Sequence, residues 1–224
     1  MKEPGLDNLD LAYETGLHIG DGNLVSYPPH YRYVLSGNRT TEFDFYATEV
    51  VNLVKKLYGL SPHIFTEHNS VYATTYSKPL VLFKVDKVGL PVGPKDQLLR
   101  LPRNITCGGV QSIARLLSGL FDTDGSPKIR TTSSGVYPRI SFAQKVRGVV
   151  EDVGRLLTEE FAITNTVYRN DYFDRRSGVT ETRWFLDING FENLSKFNAR
   201  IGSRHPRVRR KLRELSLLRD PSQR

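Results

Sequence analysis

The chain switches repeatedly between two hydrophobic periods. Over residues 8–19, NLDLAYETGLHI, apolar positions recur at helical spacing, with Asn8 or Asp10 placed to cap the segment. Short alternating runs follow at 23–27 and 31–36, parted by Pro-Pro-His, and they predict two strands. Residues 40–60 form an amphipathic helical pattern with Thr41 at a capping position. HIFTEH (63–68) and SVYATTYS (70–77) predict a hairpin around Asn69-Ser70, and residues 78–90 another helix. The order then recurs: a helix over 108–121, strands PKIRTT and YPRISFAQ around Ser133-Ser134-Gly135, and an amphipathic helix over 146–161. Strands NTVYRND and TETRWFLDI around a charged loop, then a helix over 191–201, complete it. Both halves therefore predict αββαββα. The Gly- and Pro-rich segment 89–109 joins them, so the expected half-domains are 1–104 and 105–224, the second ending in a basic tail.

A repeated motif sits inside the repeated order. GLHIGDG (16–22) and GLFDTDG (119–125) both read G-L-x-x-x-D-G at the end of a helix and the start of a strand, 103 residues apart. Gly16 and Gly20 lie one helical turn apart and share a face, as do Gly119 and Thr123. Small residues at that spacing let two helices approach backbone to backbone. Packing of the two faces would create a pseudo-twofold and bring Asp21 and Asp124 together at adjacent helix C-termini. Carboxylates are costly there, because the helix end is itself partly negative and the acids repel. Divalent cations remove that cost, and carboxylates with main-chain carbonyls suit Mg²⁺. Gly22 and Gly125 are expected just past the helix ends, with positive φ.

Composition narrows the picture. The 224 residues include 38% hydrophobic positions, enough for one large or two small domains. Lys and Arg total 32 against 24 Asp and Glu, a net charge of +8 that favours a polyanionic partner. Cys107 is the single cysteine, which excludes a disulfide framework and a cysteine-based zinc site. No apolar run has the length of a membrane span, and the opening MKEPGLDNLD is neither a signal nor a transit peptide, so a cytoplasmic protein without membrane contact is expected.

ETGLHIGDG (14–22) and LSGLFDTDG (117–125) resemble the paired motifs of LAGLIDADG homing endonucleases. The resemblance is to single-chain, two-motif, intron-encoded members such as those of archaea. It runs over nearly the whole chain, including the ending NARIGSRHPRVRRKL. The first motif departs from the family pattern at Glu14, Thr15 and Gly20, none of which is the acid. The resemblance implies an α+β fold, a pseudo-twofold pair of αββαββα half-domains with saddle-shaped antiparallel sheets. It implies that Asp21 and Asp124, with the main-chain carbonyls of Gly20 and Thr123, share two or three divalent ions, Mg²⁺ foremost. Asp122 falls where the first motif has Ile19 and receives no chemistry, only a polar contact at a helix end. Auxiliary residues contacting the scissile phosphates are expected at the end of each half's second strand: Gln144 and Lys145 in one, Asn38 beside Gly37 in the other. The implied activity is metal-assisted phosphodiester hydrolysis at a specific duplex site, leaving 3′ overhangs and promoting intron homing. An RNA maturase acting on intron RNA and a non-catalytic DNA-binding regulator are the competing readings.

Two-stranded ribbons fit the major groove of DNA. Alternation places Arg32, Val34 and Ser36 on one face, with Tyr33 and Leu35 on the core side. In the second half Arg139 and Ser141 oppose Ile140 and Phe142, and Lys128, Arg130 and Thr132 form a stripe that Arg169 and Arg183 extend. A monomer contacting a long asymmetric duplex target is expected.

Overall fold

The computed structural model describes residues 1–95, 98–133, 135–174 and 178–218; Ser134 of the second expected hairpin turn, part of the charged loop, two linker residues and the end of the basic tail lie outside them. Helix α1 (Leu9–Asp21) uses Asn8 as its cap, with the side-chain oxygen accepting the amides of Asp10 at 2.9 Å and Leu11 at 3.2 Å. It leads directly into β1 (Gly22–Tyr27) and β2 (His30–Asn38). Helix α2 is continuous through Arg39–Asp44, a wide-turned stretch Phe45–Val50, and Val51–Tyr58, and Gly59 ends it at φ 67°. Its cap is Asn38 rather than Thr41: Asn38 Oδ1 accepts the amides of Thr40 and Thr41, at 2.9 and 3.0 Å. The helix starts earlier than its apolar pattern because this cap lies before the first apolar position.

Strands β3 (His63–Glu67) and β4 (Ser70–Tyr76) form the expected hairpin, and α3 runs Lys78–Leu82 and on through Phe83–Val88. The linker contains a short helix, α4 (Arg103–Thr106), too brief to leave a periodic signal. The second series is α5 (Val110–Asp124), β5 (Gly125–Thr132), β6 (Gly135–Gln144), α6 (Arg147–Phe161), β7 (Thr166–Asp174), β8 (Val179–Asn189) and α7 (Phe191–Arg200). An additional basic helix, α8 (Pro206–Ser216), buries Val208, Leu212 and Leu215. Two open antiparallel sheets result, in the orders β1-β2-β4-β3 and β5-β6-β8-β7. The fold is α+β, as expected from the repeated element order.

The chain divides into two compact units, Met1–Lys95 with Pro102–Thr123, and Asp96–Leu101 with Asp124–Arg224. Packing thus assigns the body of α5 to the first unit, although the repeat pattern counts it with the second half. In the first unit the sheet buries Leu24, Tyr33, Leu35, Val71 and Ala73. In the second, Ile140, Phe142, Leu186 and Ile188 meet Val149, Val153 and Leu157 of α6 in the buried set.

Glu14, in the middle of α1, is fully buried, and so is its ion-pair partner Lys84 of α3. Tyr33 and Tyr58 also donate their hydroxyl protons to Glu14, and the Lys84 ammonium lies 5.2 Å from each ring centroid. Burial pulls the Lys84 pKa below its ordinary value, while Glu14 opposes the change. The departure from the motif pattern at Glu14 is therefore compensated inside the first unit. Removing one partner alone would strand a buried charge, at a cost of about 3–5 kcal/mol.

Helices α1 and α5 touch backbone to backbone. A Cβ on Gly16 would lie 2.1 Å from the Leu116 carbonyl oxygen and 3.0 Å from Gly119 Cα. A Cβ on Gly119 would lie 2.1 Å from the Tyr13 carbonyl oxygen and 3.1 Å from Gly16 Cα. The contact is reciprocal, as the small-residue spacing predicts. Thr123 does not add to it through its hydroxyl, which turns back to the Leu120 carbonyl at 2.9 Å within its own helix. Because the obstructing atoms are backbone, Gly16→Ala should cost about 3 kcal/mol and lower the thermal midpoint by about 6–12 °C. Differential scanning calorimetry checks this; an unchanged midpoint would contradict so close a helix contact.

Candidate functional site

Asp21 closes α1, and Gly22 continues straight into extended backbone at φ −97° and ψ 161°. Neither Gly22 nor Gly125 has positive φ, which corrects the expectation of left-handed helix stops. Gly22 is required for space instead: a Cβ there would lie 2.1 Å from His18 Nδ1 and 2.6 Å from His18 Cα. His18 is buried and stacked on Tyr33 with centroids 5.3 Å apart, and burial, then Lys95 and Lys84, hold its pKa well below the ordinary value. It packs as a neutral ring.

The Asp21 carboxyl is raised from 3.8 to about 6, first by burial and further by the Glu42 carboxylate, with Lys95 acting in the opposite sense. Ser36 Oγ donates to the Asp21 carbonyl at 3.0 Å, tying the end of β2 to the end of α1. The Lys95 ammonium donates to the Gly20 carbonyl. The end of α1 thus combines a desolvated carboxylate with a main-chain carbonyl that already accepts a cation. That donor set fits a hard divalent ion. Lys95 lies in the Gly- and Pro-rich linker, and nothing in the sequence pattern pointed to it.

Asp124 closes α5 and accepts a hydrogen bond from Gln144 Nε2 at the end of β6. The two residues were expected at one site, and the second unit brings them together. Lys145 follows, in an ion pair with Glu181 at 2.8 Å. Asp122 accepts the Tyr13 hydroxyl proton at 2.6 Å, the polar contact expected of it. The first half has no counterpart of Gln144. A Cβ on Gly37 would lie 2.2 Å from Tyr46 Cε2 and 2.8 Å from Glu42 Oε2, so a side chain has no room there. Asn38, assigned an auxiliary chemical role, spends its side-chain oxygen capping α2, while its amide donates to Glu42 at 2.7 Å. Glu42, marked only by its place in the first turn of α2, is, with Lys95, a charged group that the sequence reading did not single out. Among the described residues, no group of three or more His, Cys, Asp or Glu could hold a metal.

Strand register sorts the expected DNA contacts. Arg32, Val34 and Ser36 do share the open face of the first sheet, across from Tyr76, Thr74 and Tyr72. Val34 is nevertheless only 8% exposed, and Ser36 is engaged with the Asp21 carbonyl. In the second sheet Lys128 and Arg130 are exposed, and the Thr132 hydroxyl returns to the Gly135 carbonyl at 3.2 Å. Arg139 and Ser141 are drawn inward: Arg139 pairs with Asp187 and donates to the Tyr168 hydroxyl at 2.9 Å, and buried Ser141 donates to Asp187 at 2.5 Å. Arg183 lies opposite Asn170 and shares the face of Arg139, with Glu181 at 3.5 Å. Arg169 lies opposite Trp184 and so belongs to the other face, bound to Asp171 at 2.8 Å. It does not extend the stripe.

Residues 111–202 match the family model of the LAGLIDADG-like domain. No curated protein sequence matches the chain. Among solved structures it is similar to the homing endonuclease I-DmoI in complex with DNA and Mn, with 19% identity and a TM-score of 0.60 over 89% of this chain and 99% of that one. It is also similar to the LAGLIDADG homing endonuclease I-GzeII in complex with a DNA target, with 10% identity and a TM-score of 0.53 over 93% and 88%. The meganuclease I-SmaMI bound to uncleavable DNA gives 10% identity and a TM-score of 0.56 over 92% and 89%. At these identities the likeness establishes the fold, that of two-motif LAGLIDADG homing endonucleases.

The raised Asp21 carboxyl has a measurable consequence. Its folded pKa of about 6 lies above the ordinary 3.8, so ionisation opposes folding. The penalty is absent below about pH 4, grows between 4 and 6, and is complete above that range. Without divalent ions, Asp21→Asn should therefore stabilise the protein at pH 8 by about 1–3 kcal/mol, an advantage that vanishes by about pH 4. Thermal unfolding across that range is the check, and equal midpoints at pH 8 would contradict the assignment.

Proposed function

We propose that this chain, which has the LAGLIDADG homing endonuclease fold and carries a LAGLIDADG-like domain over residues 111–202, is a site-specific, metal-dependent DNA endonuclease. It acts as an intracellular monomer on a long asymmetric duplex, cuts both strands to leave 3′ overhangs, and promotes the homing of an intron. The observation that carries this reading is the end of α1: a carboxylate kept desolvated, at a cost to stability, beside a carbonyl that accepts a cation. Structural ion pairs do not explain such an arrangement, whereas phosphodiester hydrolysis uses it. The net charge of +8 supports a polyanionic substrate.

Asp21 and Asp124, with the Gly20 and Thr123 carbonyls, would hold the ions, Mg²⁺ foremost. When bound, divalent ions supply charge stabilisation to the attacking and leaving oxygens of an in-line displacement. The residues of the chain prepare for this. Gln144 orients the Asp124 carboxylate, and Ser36 fixes the carbonyl of Asp21. Lys95 lends a positive charge at the Gly20 carbonyl. Lys145, held by Glu181 when no polyanion is present, would exchange that partner for a phosphate. Lys128 and Arg130 offer exposed charge on the open face of the second sheet.

Cleavage selection from a randomised duplex library in Mg²⁺, with the wild type beside Asp21→Asn and Asp124→Asn, tests the reading. The wild type should cut one long asymmetric sequence. Each variant should lose cutting by on the order of a hundredfold or more while binding the same sequence. Variants that cut as well as the wild type would overturn the assignment; binding without cutting by the wild type would indicate a regulator.

A further inference from the structure

We propose that Arg32 reads a guanine towards the outer end of the target half-site contacted by the first sheet, and that the equivalent arginine of the second sheet, Arg139, reads none. This rests on the reading of the chain as a duplex-DNA-binding protein and adds to it which base is demanded, and in which half.

Strand register fixes the equivalence. The glycine after each motif acid pairs with Leu35 in the first sheet and with Phe142 in the second. Three residues before these stand Arg32 and Arg139. The surroundings also correspond. Across the ladder Arg32 faces Tyr76 where Arg139 faces Asn189, and Val34 faces Thr74 where Ser141 faces Asp187. One exchange decides the use of each arginine: Thr74 stands where the second sheet has a carboxylate. Arg139 spends its fork on protein. Its Nη2 serves Asp187 and the Tyr168 hydroxyl, and its Nε donates to Ser141 Oγ at 3.1 Å. Arg32 has no acceptor among the described residues, and its Nε is buried without one.

A buried donor left unpaired is costly and calls for a partner supplied from outside. The space for one is present. Val25, Tyr27, His30, Arg32, Tyr76 and Lys78 are among the residues lining a cleft of about 390 Å³ at the outer end of the sheet. Tyr27 and Tyr76 remain 59% and 69% exposed. Arg32 thus presents a planar fork, framed by aromatic rings, on the sheet face that would enter the major groove. Guanine is the base that offers two acceptors, O6 and N7, to such a fork. A phosphate would also accept these hydrogen bonds, and the neutral variant separates the two cases, because losing a base contact removes one sequence preference whereas losing a phosphate contact weakens every sequence alike.

The experiment is binding selection from randomised duplexes, with Ca²⁺ in place of Mg²⁺, using the wild type, Arg32→Lys and Arg32→Gln. The wild type should demand a guanine near one end of its target. Arg32→Gln should lose that demand by about 5- to 150-fold and keep the preferences at every other position, and Arg32→Lys, which keeps donors but not the planar fork, should show a smaller loss at the same position. Retention of the guanine by Arg32→Gln, with uniformly weaker binding to every sequence, would overturn the proposal in favour of a phosphate contact. A wild type that enriches no duplex sequence would overturn the DNA-binding reading itself, and this proposal with it.

Discussion

The approach of α1 and α5 at Gly16 and Gly119 is the constraint on which the rest depends. Each glycine faces a carbonyl oxygen of the other helix, and a single added carbon would meet it at 2.1 Å. Two helices this close leave no room for side chains to adjust their spacing, so the backbone itself sets it. The end of α1 follows, and with it the point at which Asp21 leaves its helix. The strands begin at once, because Gly22 and Gly125 carry the chain on without a loop. Each acid therefore stands where a helix passes directly into a strand.

Electrostatics then distinguishes the two ends. In the first unit, Asp21 is desolvated, pressed by Glu42 and relieved by Lys95, and its carboxyl titrates near 6. In the second, Asp124 is held by Gln144. Gly37 is hemmed in by Tyr46 and Glu42, so the first half has no side chain where the second has Gln144. A carboxylate kept desolvated in this way lowers stability. The same asymmetry extends to the open faces of the sheets. Arg139 is neutralised by Asp187, whereas its equivalent Arg32 is left unpaired. The two open faces therefore differ in the charge they present.

Much of this was legible in the sequence. Periodicity gave the element order, and the doubled G-L-x-x-x-D-G gave the helix contact; the resemblance singled out Gln144, whose hydrogen bond to Asp124 only the structure shows. The failures have physical causes. Asx residues compete for caps, so Asn38 displaced Thr41 at the start of α2 and its side-chain oxygen is engaged there. Helix-ending glycines were expected in left-handed conformation, but Gly22 answers to the bulk of His18. Arg169 was placed beside Arg183 because strand parity depends on register, and register across a charged loop cannot be counted from residues alone. Val34 and Ser141 had the right parity but lie buried near the middle of their strands. The Glu14–Lys84 pair joins residues 70 positions apart, and the Lys95 contact with Gly20 spans 75; no local pattern carries such pairings.

The measurement that bears most directly on this account is the mapping of strand breaks. A long randomised duplex pool would be incubated with the purified chain and Mg²⁺, and every new end sequenced on both strands. The account predicts paired breaks within one long asymmetric sequence, offset to leave 3′ extensions. Absence of breaks at any divalent-ion concentration, or breaks scattered without sequence preference, would contradict it.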